Sequence, residues 1–478
     1  MSIDLDDVQG NVLRGYGRTY RAARHFFLGV RDPAGARRFL RDLPQDERDS
    51  PPGVRSSEEW KEGERPDSCL NVGITWLGLG ALGVPASVLA KFPQAFRDGP
   101  AVRASVVSDR PNDVGLGDVG RSAPDGWIVG GPRTPPIHVV VSLYARDATI
   151  REDASETLRT GFAANGLTVH SDHDAHLLAR PEYVHFGYRD GIAQPQIEGG
   201  PAKDVPDRQP AIPAGDLLLG RDYVNSFRGN YAGDLPRPLV DNATYGAFRI
   251  ISQDVRRFEE LLLRWVARAH LPKELVAAKI MGRWRSGVPL VLSGNRTPSL
   301  KRFPDEELND FDYVPTAGPP PLAGDPDGLR CPIGAHVRRL NPRGAPVMGM
   351  SNTRRLVRRN MPYGPEYDTS HPDHVERGLI GYFLCGDLET QWEFIQRVWV
   401  NQDFATTGIR RTREPVVGTQ LGEDGMFRIP MAAPGDAHEL VGLPDLVRTR
   451  GSLYCLLPGL GGLRYIASLG DRSGAAPW

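Results

Sequence analysis

The sequence predicts an α+β protein, with antiparallel strands and covering helices layered in two halves that share one plan. Three observations carry this reading. A short apolar run followed by an amphipathic helix occurs near the N-terminus and again mid-chain, hairpin-length spacings interrupt any regular βαβ alternation, and the connecting stretches are rich in Pro and Gly.

From Arg24, HFFLGVRDPAGARRFLRDL gives an apolar run, a polar turn, and then Ala36, Phe39, Leu40 and Leu43 at helical spacing. Val72–Trp76 and the β-branched Ile137–Tyr144 read as strands, Glu152–Phe162 as a polar helix, and a further strand starts near Leu167. The second half opens on AFRIISQDVRRFEELLLRWVARAH, a strand and then a helix with Phe258, Leu261, Leu262, Trp265 and Val266 on one face. Leu379–Cys385 (LIGYFLC) is a strand, ETQWEFIQRVW a helix, and Ser452–Pro458 (SLYCLLP) the last strand. PAKDVPDRQPAIPAGD and VPTAGPPPLAGDPDG read as loops, the first marking the boundary between the halves.

With 478 residues, 40% hydrophobic and 24% charged, the chain has an ordinary globular composition and ample material for a core. Its 58 basic and 59 acidic residues leave a net charge of -1, so there is no bulk electrostatic case for nucleic acid or an anionic membrane surface. Six Lys against 52 Arg, scattered along the chain, reads as a coding bias rather than a binding surface. Cys69, Cys331, Cys385 and Cys455 form no C-x-x-C pair and read as free, buried thiols. The N-terminus is acidic where a signal peptide needs basic and apolar residues. The long uncharged run Leu70–Ala90 carries four glycines and Pro85, so it is not a membrane span. A soluble, cytoplasmic protein is expected.

Three segments could carry chemistry. In HFGYRDGIAQPQ, Asp190 lies between Gly187 and Gly191, beside His185 and ahead of Pro195; taken alone this reads as a plain Asp-Gly turn, although glycine permits close backbone approach to a planar ligand and an acid on such a turn can be aimed into a cavity. In CPIGAHVRRLNPRG, His336 follows Gly334 and Ala335 and precedes Arg338, Arg339 and Arg343; taken alone it reads first as a satisfied structural histidine, and otherwise as an imidazole ligand of haem iron with Arg nearby to neutralise carboxylates. TRRLVRRNMPYG, taken alone, is a basic loop. A fourth segment, HSDHDAH, sets His170, His173 and His176 among Asp172 and Asp174. Its spacing does not converge on one ion in a strand and no H-E-x-x-H accompanies it, so it reads as a surface loop, with an accessory metal site or a hydrolytic centre as alternatives.

Together, the first three segments resemble the dye-decolourising peroxidase family, which is similar in its G-x-x-D-G, A-H-I/V-R-R-x-N-P-R and R-x-N/G-x-P-Y/F-G stretches, present here in that order. The opening DVQGNVL, LNVGIT and the late EFIQRVWVN extend the resemblance over nearly the whole chain. It implies two ferredoxin-like lobes, residues 1–200 and 201–478, with one haem b per chain held between sheet and helices. It also implies a peroxidase that reduces hydrogen peroxide, is raised to a high-valent iron state, and takes electrons one at a time from dyes, phenols or other small reducing substrates, in some cases through a surface Trp or Tyr. Carried over, His336 is the proximal iron ligand, Asp190 the distal acid-base residue and Arg358 the distal cation, with Arg359 its competitor. Asn360 and Gly191 line the haem, and Arg343 contacts a propionate. Glu414, with Asp387 as the alternative, accepts the other N–H of the proximal ring. GLIGYFLC departs from the family's wording by placing Gly381 where a bulky distal residue is expected. The competing reading is a haem carrier or iron-handling protein without peroxidase turnover, although a carrier needs neither a distal acid nor a charge-stabilising Arg.

Overall fold

A computed structural model of the chain describes residues 3–470, apart from 17–18, 44–51, 61–64, 105–114, 204–206, 223–233, 300–301, 315–323, 346–353, 403–408, 421–424 and 432–435. Most of the predicted loop VPTAGPPPLAGDPDG therefore lies outside the described residues.

The first half runs β1 (Ala22–Val30), helix Pro33–Asp42, β2 (Ser68–Ile74), β3 (Val139–Ala145), helix Ala148–Ala164 and β4 (Leu167–His176). The second runs β5 (Thr244–Gln253), helix Val255–Ala269, β6 (Val357–Tyr363), β7 (Gly378–Cys385), a helical segment over Leu388–Val400, the hairpin β8 (Gly425–Pro430) and β9 (Ala437–Leu443), and β10 (Val447–Leu457). The eight long strands form one antiparallel sheet in the order β4-β1-β3-β2-β10-β5-β7-β6. Read along each half, the order is fourth, first, third, second, so two copies of the same four-stranded plan meet where Ile74 of β2 pairs with Leu456 of β10.

The same local device builds every crossover. Each of the strands β1, β3, β5 and β7 is followed by an Asp whose side chain caps the next helix: Asp32 accepts from Ala34 N, Asp147 from Ile150 N, Asp254 from Arg257 N, and Asp387 from Glu389 N and Thr390 N. A carboxylate at this position satisfies an otherwise orphaned N–H and meets the positive end of the helix dipole. In the helix Val255–Ala269, Phe258, Leu261, Leu262 and Trp265 of the stripe read from the sequence are buried together with Val255 and Ala269, and Val266 is half-buried.

Three readings change with the structure. ETQWEFIQRVW is helical but wound with the wider π pitch, a form that recurs at functional sites. The basic TRRLVRRNMPYG contains the last strand of the sheet order, β6, over Val357–Tyr363, where Pro362 lacks a donor that no further strand requires. HSDHDAH is not a loop but the opposite edge strand, β4. Its acidic residues pair with neighbouring arginines, Asp174 with Arg24 at 2.6 Å and Asp172 with Arg159 at 2.6 Å, and charge of this kind blunts an exposed edge. Among the described residues no cluster of His, Cys, Asp or Glu is arranged to hold a metal ion, and no helix is long and apolar enough to cross a membrane. All four cysteines are free and buried.

Candidate active site

Side chains alternate across a sheet, so the register decides which residues share a face. Ala247–Phe383–Arg358 and Arg249–Gly381–Asn360 lie in rows across β5, β7 and β6. Arg249, Ile251, Arg358, Asn360, Leu379 and Phe383 line a cavity of about 240 Å3, whose far wall carries His336, Val337, Leu340 and Val416–Gly418. Residues one step along each strand, such as Phe248, Ile250, Ile380 and Tyr382, are packed in the core on the other face. This alternation separates the two candidate arginines. Arg359 turns away to donate to Asn11 O and Val12 O, and Arg358 faces the cavity.

His336 opens the short helix His336–Leu340, and its Nδ1 lies 2.9 Å from Glu414 Oε1. Glu414 is fully buried and its carboxylate also accepts the backbone N–H groups of Val416 at 3.0 Å, Gly418 at 3.2 Å and Val417. Burial alone would push this carboxyl up, but His336 and the backbone donors outweigh it and the net shift is downward. The carboxylate stays ionised and holds the ring with Nδ1 as donor, leaving Nε2 as the ring's other nitrogen. Asp387, the alternative for this role, is committed to its helix cap.

Across the cavity, Arg358 Nη1 lies 3.1 Å from Asp190 Oδ1. Asp190 follows Tyr188 and Arg189 on a turn closed by its own N–H to Glu182 O. Gly191 takes φ +82°, a conformation that favours glycine. Burial would raise the Asp190 carboxyl, but the Arg358 charge and the Gly191 N–H more than offset it, so its net shift is also downward. Although enclosed by protein on most sides, the Asp190 side chain keeps 42% of its surface open, and it lines the cavity. Asn360 Nδ2 is buried without an acceptor.

Other expected residues lie elsewhere. Arg343 does not line the cavity: its guanidinium is buried, donates to Asn309 O, Phe311 O and Asn309 Oδ1, and stacks on Phe311. Arg338 and Arg339 are likewise spent on main-chain carbonyls, Arg338 on Asp325 and Cys331, Arg339 on Trp399, Thr412 and Gln402. These arginines act as anchors that fix the His336 helix, because a planar guanidinium satisfies several buried carbonyls at once. Gly191 contributes its N–H to Asp190 but is not part of the lining. His185 Nε2 contacts Tyr363 O at 2.8 Å, tying the Asp190 segment to the end of β6, and burial pushes its pKa down to about 4.

Around the cavity, Gln194 and Arg249 escaped the one-dimensional pattern, and the departure at Gly381 finds its reason in the backbone. Gln194 accepts from Arg358 N at 3.1 Å and donates to Arg358 O at 3.0 Å, clamping the strand to the Asp190 segment. Its only cue was its place in DGIAQPQ. Arg249 pairs with Asp118 at 2.7 Å and stacks over Trp392, and all three line the cavity. Gly381 adopts φ +147°, and a Cβ there would lie 2.0 Å from Arg359 O, so the position requires glycine for the backbone itself.

This donor set fits an iron porphyrin. Apolar Ile192, Met281, Val337, Leu340, Ile251 and Leu379 would meet a flat macrocycle, a carboxylate-oriented imidazole stands on one wall, and an ion pair with an unpartnered amide stands on the other.

No family model matches the chain. It is 28% identical to a dye-decolorizing peroxidase of Mycena epipterygia, over 98% of this chain and 88% of that relative. It is 25% identical to the multifunctional dye peroxidase DyP2 of an Amycolatopsis species, over 96% and 95%. The crystal structure of a fungal DyP-type peroxidase from Auricularia auricula-judae superposes with a TM-score of 0.77 at 23% identity, covering 98% of this chain and all of that one. A dye-decolorizing peroxidase solved with 2,6-dimethoxyphenol gives 0.76 at 24%.

Proposed function

The chain belongs to the dye-decolourising peroxidases, and from that premise we propose the division of labour inside its cavity. It is a haem peroxidase that reduces hydrogen peroxide and oxidises dyes, phenols and other one-electron donors. When bound, the haem, assigned here as one haem b per chain, supplies a redox-active iron at which the peroxide O–O bond is split and from which donors are oxidised one electron at a time.

His336 would be the protein's ligand to that iron. Glu414 fixes its ring by accepting the Nδ1 proton and, as a buried carboxylate, makes the imidazole a stronger electron donor. On the opposite wall Asp190, kept ionised by Arg358, accepts a proton from one peroxide oxygen and returns it to the other, which departs as water. The Arg358 guanidinium faces the same space and stabilises negative charge as it develops on the departing oxygen. Asn360 Nδ2, buried without an acceptor, donates to the peroxide or to the water that replaces it. Gln194 keeps Arg358 in register with Asp190.

The observation that carries this reading is that one cavity is lined by His336, which Glu414 holds from behind, and by the pair Asp190 and Arg358. A carrier has no use for that pair. The test is the absorption spectrum of the haem-loaded protein before and after one equivalent of hydrogen peroxide, with Asp190→Asn and His336→Ala beside it. A Soret band that changes on mixing in the wild type but slowly in Asp190→Asn, together with weakened haem retention in His336→Ala, is expected. A Soret band indifferent to peroxide would make the protein a carrier.

A further inference from the structure

Met281 ends the helix Lys273–Met281 and is 9% exposed. It lines the cavity together with His336, Val337, Asp190 and Arg358, and among the described residues of that lining it alone carries sulfur. Two contacts tie its helix to both parts of the site. Gly282, the next residue, packs against the helix that begins at His336, so closely that a Cβ there would lie 2.5 Å from Val337 Cγ2. One turn earlier, Ala277 O accepts the hydroxyl of Tyr188 at 2.8 Å, and Tyr188 stands two residues ahead of Asp190. Met281 itself belongs to the apolar cluster that holds Phe186, Tyr188 and Phe258.

A thioether is soft and polarizable, and it takes up oxygen to give a sulfoxide, which turns an apolar side chain into a polar one. Burial shields Met281 from peroxide in bulk solvent, yet its place in the lining puts the side chain in the space where peroxide is reduced. Reduction of peroxide to water consumes two electrons, which external donors return one at a time. When no donor arrives, the side chains of the cavity are the nearest source. Tyr188 and Trp392 also line it, but loss of one electron from an aromatic ring is undone when an electron returns, whereas a sulfoxide keeps its oxygen.

We propose that Met281 is the internal oxidation site of this protein: in peroxide without a donor its thioether is converted to the sulfoxide, and this modification ends the working life of the enzyme. The proposal rests on the haem reading above. In the overall step two electrons leave the Met281 sulfur, one S–O bond forms and the peroxide O–O bond breaks, so that thioether and hydrogen peroxide become sulfoxide and water. A sulfoxide oxygen finds no donor among Phe186, Phe258 and a Tyr188 hydroxyl already given to Ala277 O, and the disturbance reaches Asp190 through the Tyr188 segment.

The experiment exposes the haem-loaded full chain and the apoprotein to excess hydrogen peroxide, with and without 2,6-dimethoxyphenol. Peptide mass spectrometry maps methionine oxidation as a gain of about 16 Da. Met431, 44% exposed, reports attack by free peroxide, and Met361, 7% exposed and packed on the other face of the sheet, reports burial away from the cavity. Met281 should be modified ahead of Met431 in the loaded protein and behind it in the apoprotein, and the lead should vanish with donor present at the same peroxide concentration. Met361 should stay intact. Met281 trailing Met431 in the loaded protein, leading it in the apoprotein as well, or keeping its lead against donor would overturn the proposal, as would added oxygen on Trp392 in its place. Met281→Leu keeps the volume and removes the sulfur, so it should outlast the wild type in donor-free peroxide when each is measured against its own starting rate; equal decay would overturn the link to working life. If that variant does not fold, the wild-type map, set against the loss of turnover over time, decides. A Soret band indifferent to peroxide in the wild type would refute the haem reading itself, whereas a Soret change with Met281 left intact refutes this proposal alone.

Discussion

Replacing Glu414 by Gln is the sharpest test of the proximal arrangement, because it changes charge while nearly keeping shape. The native carboxylate accepts from His336 Nδ1 at 2.9 Å and from the N–H groups of Val416, Val417 and Gly418, with no contact to solvent. Every group around it is a donor, so an amide can satisfy only part of the set and must turn its own NH2 toward another donor. The interaction lost at His336 is a buried charge-assisted hydrogen bond, worth roughly 1.5–3 kcal/mol. A negative charge on the ring's partner favours ferric over ferrous iron, so its removal raises the midpoint potential. Converted for a one-electron couple, the expected rise is about 60–130 mV. Spectroelectrochemical titration of haem-loaded wild type and Glu414→Gln measures it directly. An unchanged midpoint in a variant that still holds haem would refute the idea that Glu414 tunes the proximal ligand.

Asp190→Asn should lower the second-order rate with hydrogen peroxide by about 10²–10⁴, the usual contribution of a positioned acid-base group, with haem affinity unaltered; stopped-flow mixing at the Soret band checks both. Because the Asp190 carboxyl is held below its ordinary value, chiefly by Arg358 acting against burial, the reactive ionised form persists on acidification. The peroxide rate should stay level from neutral pH downward and fall only as pH drops through the depressed pKa. Arg358→Leu removes that cation, so its acid limb should move to higher pH, and an unshifted limb would show that Arg358 does not control Asp190. Gly381→Ala forces a Cβ to within 2.0 Å of Arg359 O at φ +147°, and a stability loss of about 1–3 kcal/mol is expected from thermal melts; a wild-type melt would mean that β7 relaxes there freely.

Much of this was legible in one dimension for physical reasons. The apolar stripes of the helices Pro33–Asp42 and Val255–Ala269 were read directly, since a helical face is settled within a few residues; the capping aspartates Asp32, Asp147 and Asp254 are equally local but stood out only once the helix starts were in place. The π pitch of Leu388–Val400 was not legible, because both helical forms place a similar stripe against the core. Strand β6 and the charged stretch His170–His176 of β4, whose start near Leu167 was read as a strand, were missed because edge strands are charged and carry no alternating apolar pattern.

The sequence by itself determined the helix caps, the pairing of strand with helix in each half, and the chemical types in the site: an imidazole, acids and arginines in three separated segments. Only the tertiary structure decided which of them act together. Strand pleating sends Arg358 to the cavity and Arg359 to the core, a choice two adjacent identical residues cannot encode. The arginines after His336 became scaffolding once loop carbonyls claimed their donors. A side chain's role here depends on which donors and acceptors reach it across the fold, over separations such as the 78 residues between His336 and Glu414, and that information exists only when the sheet has closed around the cavity.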